Sequence, residues 1–407
     1  MNRAEFAKIL GGDPHRDQQP RIISATTPEE WALSFIQAAA GQGPVFLANP
    51  DWGKTEQEQF AVLCQQRPDR WEPERGWLMI PTGGSSGQMK LARHDQSTLL
   101  AAVKGAAQHF GMSCFHSLST LPRHHVGGLM AWMRCVLTGG TFLDVSWRRI
   151  AEGGFPNVSD QAMVVSLVPT QLLRLKQIDG GADWLRKFET VLVGGAALDR
   201  GTIRWARKEG IRLSPCYGAT ETGAMAAALR PHEFLAGTEG VGRTLPHMHV
   251  ATGSSGELLW RGTALFCGYW PEEREEEEAW SSGDLGEIGE TGAILLRGRA
   301  DGLINSGGEK VNPAEVEGVL VDLLADTRLK VMGVPHKKWG EGVVLAHADD
   351  LAVDLDILWN RASDQLAKFK WPKRAVPIAS WPVNTMGKVN LRRVTEIVRE
   401  TLGEEFA

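Results

Sequence analysis

Short apolar runs recur along the chain from residue 77 onward, and each ends in a loop rich in Gly, Ser and Thr. Trp77–Ile80 leads into Pro81-Thr82-Gly83-Gly84-Ser85-Ser86-Gly87, and Ala162–Val168 into Pro169-Thr170 and the helical pattern Gln171–Lys176. Thr190–Val193 leads into Gly194-Gly195-Ala196-Ala197 and a helical pattern from Leu198 to Lys208. Ile211–Ser214 precedes the loop Cys216-Tyr217-Gly218-Ala219-Thr220-Glu221-Thr222-Gly223. Apolar runs of this length, punctuated by glycine, read as strands. Their alternation with helical periods predicts an α/β architecture with much parallel sheet. In such sheets ligands gather at the carboxyl ends of the strands, where these loops sit.

The texture changes after residue 250. Glu257–Trp260 and Ala293–Leu296 read as short strands of a small β subdomain. Beyond Gly298-Arg299-Ala300-Asp301-Gly302 the pattern predicts a helix from Pro313, strands near Leu329–Val334 and Gly342–His347, a helix over Leu355–Lys368 and a last helix from Leu391. That order suits a separate, small α+β domain. The expected division is a large domain at 1–300 and a small one at 301–407, meeting at Asp301. The acidic run from Glu272 to Glu278 reads as a solvated turn or loop.

Composition narrows the function by exclusion. A formal charge of −5 offers no electrostatic footprint for nucleic acid. No run of 18 apolar residues predicts a membrane span, and no basic segment followed by an apolar stretch predicts secretion. The five cysteines lie far apart with no C-x-x-C pair, which suits a reducing cytoplasm. The fifteen tryptophans are spread along the chain and read as packing residues.

Four constellations bear on chemistry. In Thr82–Lys90, glycines let the backbone approach an oxyanion, hydroxyls donate and Lys90 adds charge; this suits a triphosphate, although alone it equally describes a surface turn. Tyr217-Gly218-Ala219-Thr220-Glu221 offers a ring for a base and a carboxylate for Mg²⁺, or a plain turn. Asp284 and Arg299 form a pair able to grip ribose hydroxyls or simply a surface salt bridge. Lys388, in Met386-Gly387-Lys388, is placed to reach an α-phosphate, or is an ordinary solvated lysine.

Taken in order, Thr82–Lys90, Gly194-Gly195-Ala196, Tyr217–Glu221, Ser282–Asp284, Gly298–Asp301, Ser306-Gly307-Gly308-Glu309-Lys310 and Met386-Gly387-Lys388 resemble the acyl-CoA synthetase, adenylation-domain and luciferase superfamily. The resemblance runs from about residue 77 to the C-terminus. It implies an AMP-forming ligase using ATP, Mg²⁺ and coenzyme A, with a mobile C-terminal domain. The loop of Thr82, Gly83, Gly84, Ser85, Ser86, Gly87 and Lys90 would embrace the β- and γ-phosphates. Gly194, Gly195, Ala196, Gly218 and Thr220 would line the nucleotide and acyl site, and Tyr217 would stack on adenine. Glu221 would help to bind Mg²⁺, Asp284 and Arg299 would hold the ribose, and Lys388 would act on the α-phosphate. Gly307 and Gly308 would line the coenzyme A tunnel. The sequence departs from the family at Gly83-Gly84-Ser85-Ser86-Gly87, where Ser-Gly-Thr-Thr-Gly is usual, and at Asn305, often a lysine.

Two further stretches, Leu121-Pro122-Arg123-His124-His125-Val126-Gly127-Gly128-Leu129 and Ser166–Leu175, are similar to segments of the o-succinylbenzoate:CoA ligases of menaquinone and phylloquinone synthesis. They imply an aromatic keto diacid as the acid, held by His125, Arg174 and the Gly194-Gly195 backbone. Arg174 reads equally as a solvated helix residue. The rival readings are a ligase for another aryl or acyl acid, a domain that loads a carrier protein, and a nucleotide-binding relative without catalysis. A homo-oligomer is compatible with all of these.

Overall fold

The structure is a computed structural model. It describes the chain except residues 69–70, 73–74, 84–88, 159–161, 197, 199, 276, 300–301, 383–388 and 404–407, with backbone alone at 83, 200, 298, 299, 314 and 392. Four sheets follow one another along the chain. In the first, β1 (Arg21–Ile23), β2 (Val45–Leu47) and β3 (Leu78–Gly83) run parallel, and β4 (Met89–His94) returns antiparallel to β3. Strand β3 is longer than expected, because Pro81–Gly83 continue paired with Leu91–Met89. Pro81 is tolerated because β2 pairs only with Leu78 and Met79, so no neighbour asks for its missing N–H. The Thr82–Lys90 motif is therefore a β-hairpin with Thr82 directly opposite Lys90.

The second sheet contains β5 (His116–Ser119), β6 (Phe142–Asp144), β7 (Met163–Leu167), β8 (Thr190–Val193), β9 (Leu213–Tyr217), β10 (Ala227–Ala228) and β11 (Arg243–Thr244). Their spatial order is β6-β5-β7-β8-β9-β10-β11, with the first five parallel. β7 and β8 are buried at every position, which explains their unbroken apolar sequences. Helices Gln96–Phe110 and Val126–Thr138 cover one face; Pro169–Lys176, Gly181–Arg186 and Arg200–Lys208 cover the other. The chain leaves β5 to form β6 on one side and then crosses to β7 on the other. The carboxyl ends of β5 and β7 thus flank a topological switch point, where an α/β sheet opens a crevice.

The third sheet is an antiparallel meander, β12 (Met248–Thr252), β13 (Glu257–Gly262), β14 (Trp280–Ile288) and β15 (Ile294–Arg299). The fourth comprises β16 (Ile304–Ser306), β17 (Glu309–Val311), β18 (Leu329–His336), β19 (Gly340–Ala348) and β20 (Arg374–Ile378). Apolar clusters are built either from residues up to Ile294 or from residues Ile304 onward. Strand β20, which contains Pro377, escaped the sequence reading; it is an edge strand parallel to β19. The helix expected over Leu355–Lys368 stops at Ala362, because the chain turns there to bury Leu366 and Trp371 in the same core. The strand read as Ile211–Ser214 is Leu213–Tyr217, so Cys216 and Tyr217 pair with β10 instead of starting a loop. The acidic run is irregular backbone where described, and Glu273 pairs there with the fully buried Arg93.

Arg93 also donates to the carbonyls of Arg75, Gly76, Pro271 and Glu272. Backbone bonds between Arg93 and both Cys267 and Gly268, and from Trp270 to Leu91, clamp segment 267–270 along β4. That clamp positions Tyr269, considered below.

His94, His109 and His247 are buried and His124 is half-buried. Burial holds His109 and His247 down to about 4, and His124, beside His125, to about 3; it also lowers His94. An unfolded chain protonates these rings near pH 6.5, so it binds protons that the folded chain refuses as the pH drops from 6.5 toward 4. Stability is therefore complete above about pH 6.5 and falls below it, by up to about 1.4 kcal/mol per pH unit per histidine. Urea midpoints at pH 7.5, 6.0 and 5.0 should decline in that order; a flat series would contradict the buried neutral rings.

Candidate active site

The carboxyl end of β9 delivers Tyr217 into a crevice wall. Its ring is 9% exposed and stacks on Trp260 of β13, centroids 5.2 Å apart and planes at 17°. Its hydroxyl donates to Asp284 Oδ2 at 2.5 Å. One contact thus joins the second sheet to the third, and joins the residue expected at the base to the one expected at the ribose. Asp284 on β14 lies in register with Arg299 on β15, whose side chain is outside the described residues.

After Tyr217 the backbone makes a tight turn. A Cβ on Gly218 would lie 1.4 Å from the Ala224 carbonyl oxygen, so no side chain fits. Ala224 holds φ at 81°, a left-handed conformation costly for alanine, within this same turn. The Thr222 hydroxyl accepts from the Ala219 N–H at 2.9 Å. His94, at the end of β4, holds the turn from outside: its Nε2 lies 2.8 Å from the Thr220 carbonyl oxygen and its Nδ1 3.1 Å from Thr98 Oγ1.

The turn buries Glu221, which is 3% exposed. Oε1 accepts from the Tyr269 hydroxyl at 2.8 Å; Oε2 is buried with no hydrogen-bond partner among the described residues. Burial, followed by the neighbouring Glu221 charge, pushes the Tyr269 phenol well above its usual range, so it stays a donor. Lys90 Nζ lies 4.6 Å from the centre of the Tyr269 ring, a cation–π contact. Thr82 and Lys90 therefore reach the Glu221 region from the hairpin stem; Gly84, Ser85, Ser86 and Gly87 lie outside the described residues, and Gly83 is known by its backbone alone.

Gly194 and Gly195 follow β8. A Cβ on Gly194 would come within 2.8 Å of Cys216 Sγ, and Gly195 has φ of 91°; Ala196 is half-buried beside them. Opposite Gly195 sits the Gly307-Gly308 tip of the β16–β17 hairpin, whose two positive φ values make the tight two-residue turn that glycine favours. A Cβ on Gly195 would be 3.5 Å from the Gly308 Cα, and one on Gly307 would be 3.7 Å from Thr170 Cγ2. The hairpin tip thus closes on the carboxyl ends of β7 and β8. Gln171 braces those ends, accepting from the Val168 N–H at 3.1 Å and from the Thr120 hydroxyl at 3.2 Å.

The two side chains expected to bind the acid are both exposed. His125 is exposed at the start of helix Val126–Thr138, its ring centre 4.5 Å from that of His124. Arg174 is exposed and donates to the Ala151 carbonyl, toward helix Trp147–Ala151. Lys388 falls outside the described residues, as does Asp301. Sequence reasoning missed Tyr269, His94, Trp260 and Gln171. One signal was present: the chain has only two tyrosines, and both serve this site through their hydroxyls.

Comparison with known proteins follows this geometry. The profile of the AMP-binding enzyme family matches residues 10–270. A 2-succinylbenzoate–CoA ligase of Listeria monocytogenes is 26% identical over 340 residues, covering 81% of this chain and 71% of the relative. An indoleacetate–CoA ligase of Aromatoleum aromaticum is 27% identical over 354 residues, covering 82% and 69%. In fold, an o-succinylbenzoate CoA synthetase of Bacillus subtilis superposes with a TM-score of 0.76 at 20% identity, covering 97% of this chain and 92% of that one.

Gly218→Ala should wreck the turn that presents Tyr217 and Glu221. ATP-dependent thermal stabilisation should be lost, while the far-ultraviolet circular dichroism keeps the four sheets; unchanged ATP stabilisation would show that the turn does not shape a nucleotide site.

Proposed function

We infer that the chain, which belongs to the AMP-binding enzyme family, is an AMP-forming acid:CoA ligase that adenylates o-succinylbenzoate and passes the acyl group to coenzyme A. The observation that carries the reading is the pairing of two buried contacts, Tyr217–Asp284 and Tyr269–Glu221, at the carboxyl ends of the parallel sheet. They draw the motif residues together, with Lys90 over the Tyr269 ring and one Glu221 oxygen unpartnered among the described residues. The relatives named for 2-succinylbenzoate support the choice of acid. Menaquinone or phylloquinone synthesis is the corresponding pathway, and the cytoplasm the corresponding compartment; among the described residues no helix is long and apolar enough to cross a membrane.

The chemistry has one central difficulty, since a carboxylate must approach a triphosphate, anion against anion. Lys90 and the Thr82–Gly87 hydroxyls and amides would take the β- and γ-phosphates, and Lys388 the α-phosphate, by electrostatic stabilisation. The acid oxygen attacks the α-phosphorus and pyrophosphate leaves. The Glu221 carboxylate fits Mg²⁺: a hard oxygen donor is left unpaired, and no group of three or more acidic, histidine or cysteine residues exists among the described residues, as suits an ion held by one carboxylate and by phosphates. When bound, Mg²⁺ supplies charge neutralisation. Asp284 and Arg299 would hold the ribose, with Tyr217 against the base. The thiolate of coenzyme A then attacks the acyl carbonyl near Gly194-Gly195 and Gly307-Gly308, expelling AMP. No protein thiol need intervene, because burial pushes the Cys216 thiol up to about 11. A hinge at Asp301 between 1–300 and 301–407 would let the two half-reactions share one site.

Pyrophosphate release with ATP and Mg²⁺, with and without coenzyme A, tests the reading on o-succinylbenzoate, benzoate, a cinnamate, indoleacetate and medium-chain fatty acids. Preference for o-succinylbenzoate with a thioester product is expected. Preference for indoleacetate would keep the ligase and change the acid, and ATP binding without turnover would remove catalysis altogether. Lys388→Ala should slow adenylation by about 100-fold or more and leave thioester formation from supplied acyl-adenylate far less affected; equal losses in both steps would defeat its assignment.

A further inference from the structure

Among the described residues, no apolar cluster spans both sides of residues 295–303, so no shared core fixes the small domain against the large one. Their relative placement therefore depends on local contacts. One is the approach of the Gly307-Gly308 tip to Gly195 and Thr170. Another is polar and lies on helix Lys54–Gln65, which carries none of the motif residues. The Thr55 hydroxyl donates to the Asp364 carbonyl at 3.0 Å. One residue on, Glu56 Oε1 lies 3.8 Å from Lys370 Nζ, which donates to Glu315 Oε1 at 2.7 Å. Lys370 ends the short turn Lys368–Lys370, and Glu315 stands in the first turn of helix Pro313–Leu324.

Exposed ion pairs contribute little, because water screens them. Here the side chains of Glu56 and Lys370 are 10% and 13% exposed, so the attraction is less screened. Glu56 Oε1 is buried with no hydrogen-bond partner among the described residues, which leaves Lys370 as its counter-charge. The two halves of the bridge are unequal. Within the small domain Lys370 and Glu315 make a short, charge-assisted hydrogen bond; across to Glu56 there is attraction at a distance beyond hydrogen bonding. Rotation of the small domain would break only the weaker half: Lys370 keeps Glu315, and Glu56 returns to water. An interaction made and broken in every turnover has to be separable in this way. It is made in the arrangement that sets Gly308 against Gly195, where the acyl carbonyl and the thiol of coenzyme A would meet.

We propose that Glu56 is a positioning residue for thioester formation. Through Lys370 it holds the small domain with the Gly307-Gly308 tip on the acyl site, and its release accompanies the return to the adenylating arrangement. This rests on the ligase and two-domain readings given above. Glu56 acts on no reacting atom; it sets how the protein divides its time between the two half-reactions. Each half-reaction proceeds from its own arrangement, so the two single-turnover rates scale with the two populations. Their ratio follows the equilibrium between the arrangements whichever is in the majority, and any loss common to both rates cancels.

The experiment measures adenylation of o-succinylbenzoate by pyrophosphate release, and thioester formation from supplied acyl-adenylate and coenzyme A, each in a single turnover. In Glu56→Gln, which keeps the shape and removes the charge, the ratio of thioester formation to adenylation should fall by about tenfold, within the usual range for coupling between two states. Glu56→Lys should lower it further. Adding Lys370→Glu to Glu56→Lys reverses the pair and should restore most of the ratio, which a purely structural role of either residue would not do. An unchanged ratio in Glu56→Gln, or no recovery in the reversed pair, overturns the proposal. Hydrogen exchange on the ligand-free protein supplies a readout that needs no turnover. Glu56→Lys should speed exchange in peptides covering 54–57 and 364–370 while β7 and β8 stay protected; unchanged exchange in those peptides also overturns the proposal. The two readings separate. Adenylation with an unchanged ratio keeps the ligase and removes Glu56; faster exchange in Glu56→Lys without adenylation of any acid keeps the bridge between domains and removes the ligase.

Discussion

A carboxylate buried to 3% exposure with a single hydrogen-bond donor is the constraint around which the rest of the site is arranged. Burying a carboxylate asks for a partner at each oxygen, and among the described residues Glu221 has one, Tyr269 on Oε1, and none on Oε2. Holding Tyr269 there needs segment 267–270 clamped along β4, which needs the buried Arg93 and its carbonyl acceptors. Holding Glu221 there needs the turn at Gly218 and the brace from His94. Two sheets and a long loop are therefore committed to the orientation of one side chain.

The second organising contact is Tyr217 with Trp260 on its face and Asp284 on its hydroxyl. It belongs to the same core that buries Trp77 and Leu99, so the β12–β15 meander is fastened to the large sheet through Tyr217. One face of Tyr217 is occupied by Trp260. The Gly307-Gly308 tip closes the crevice from the other side, and contact this near is possible only because neither turn carries a side chain at its apex.

Much of this was legible in the residues. The parallel strands from Met163 to Tyr217 announced themselves as short apolar runs ending in glycine, because strands buried on both faces have no polar positions to spare. The ordered series of Gly, Ser and Lys motifs pointed to a nucleotide crevice at the ends of those strands. Strand β20 stayed hidden because an edge strand containing Pro377 lacks that unbroken apolar signal, and the helix from Leu355 was overextended because its period continued past the point where Leu366 had to turn inward.

The sequence by itself determined the class of fold, the order of the motifs and their residue chemistry, since these depend on local periodicity and on what each side chain can donate or accept. Only the tertiary structure decided the pairings: Tyr269 with Glu221 across 48 positions and Tyr217 with Asp284 across 67. Whether a polar group in the interior is satisfied depends on which distant strands pack beside it, and no local pattern encodes that. Glu221 Oε2, unpaired among the described residues, became visible as such only after the fold had surrounded it.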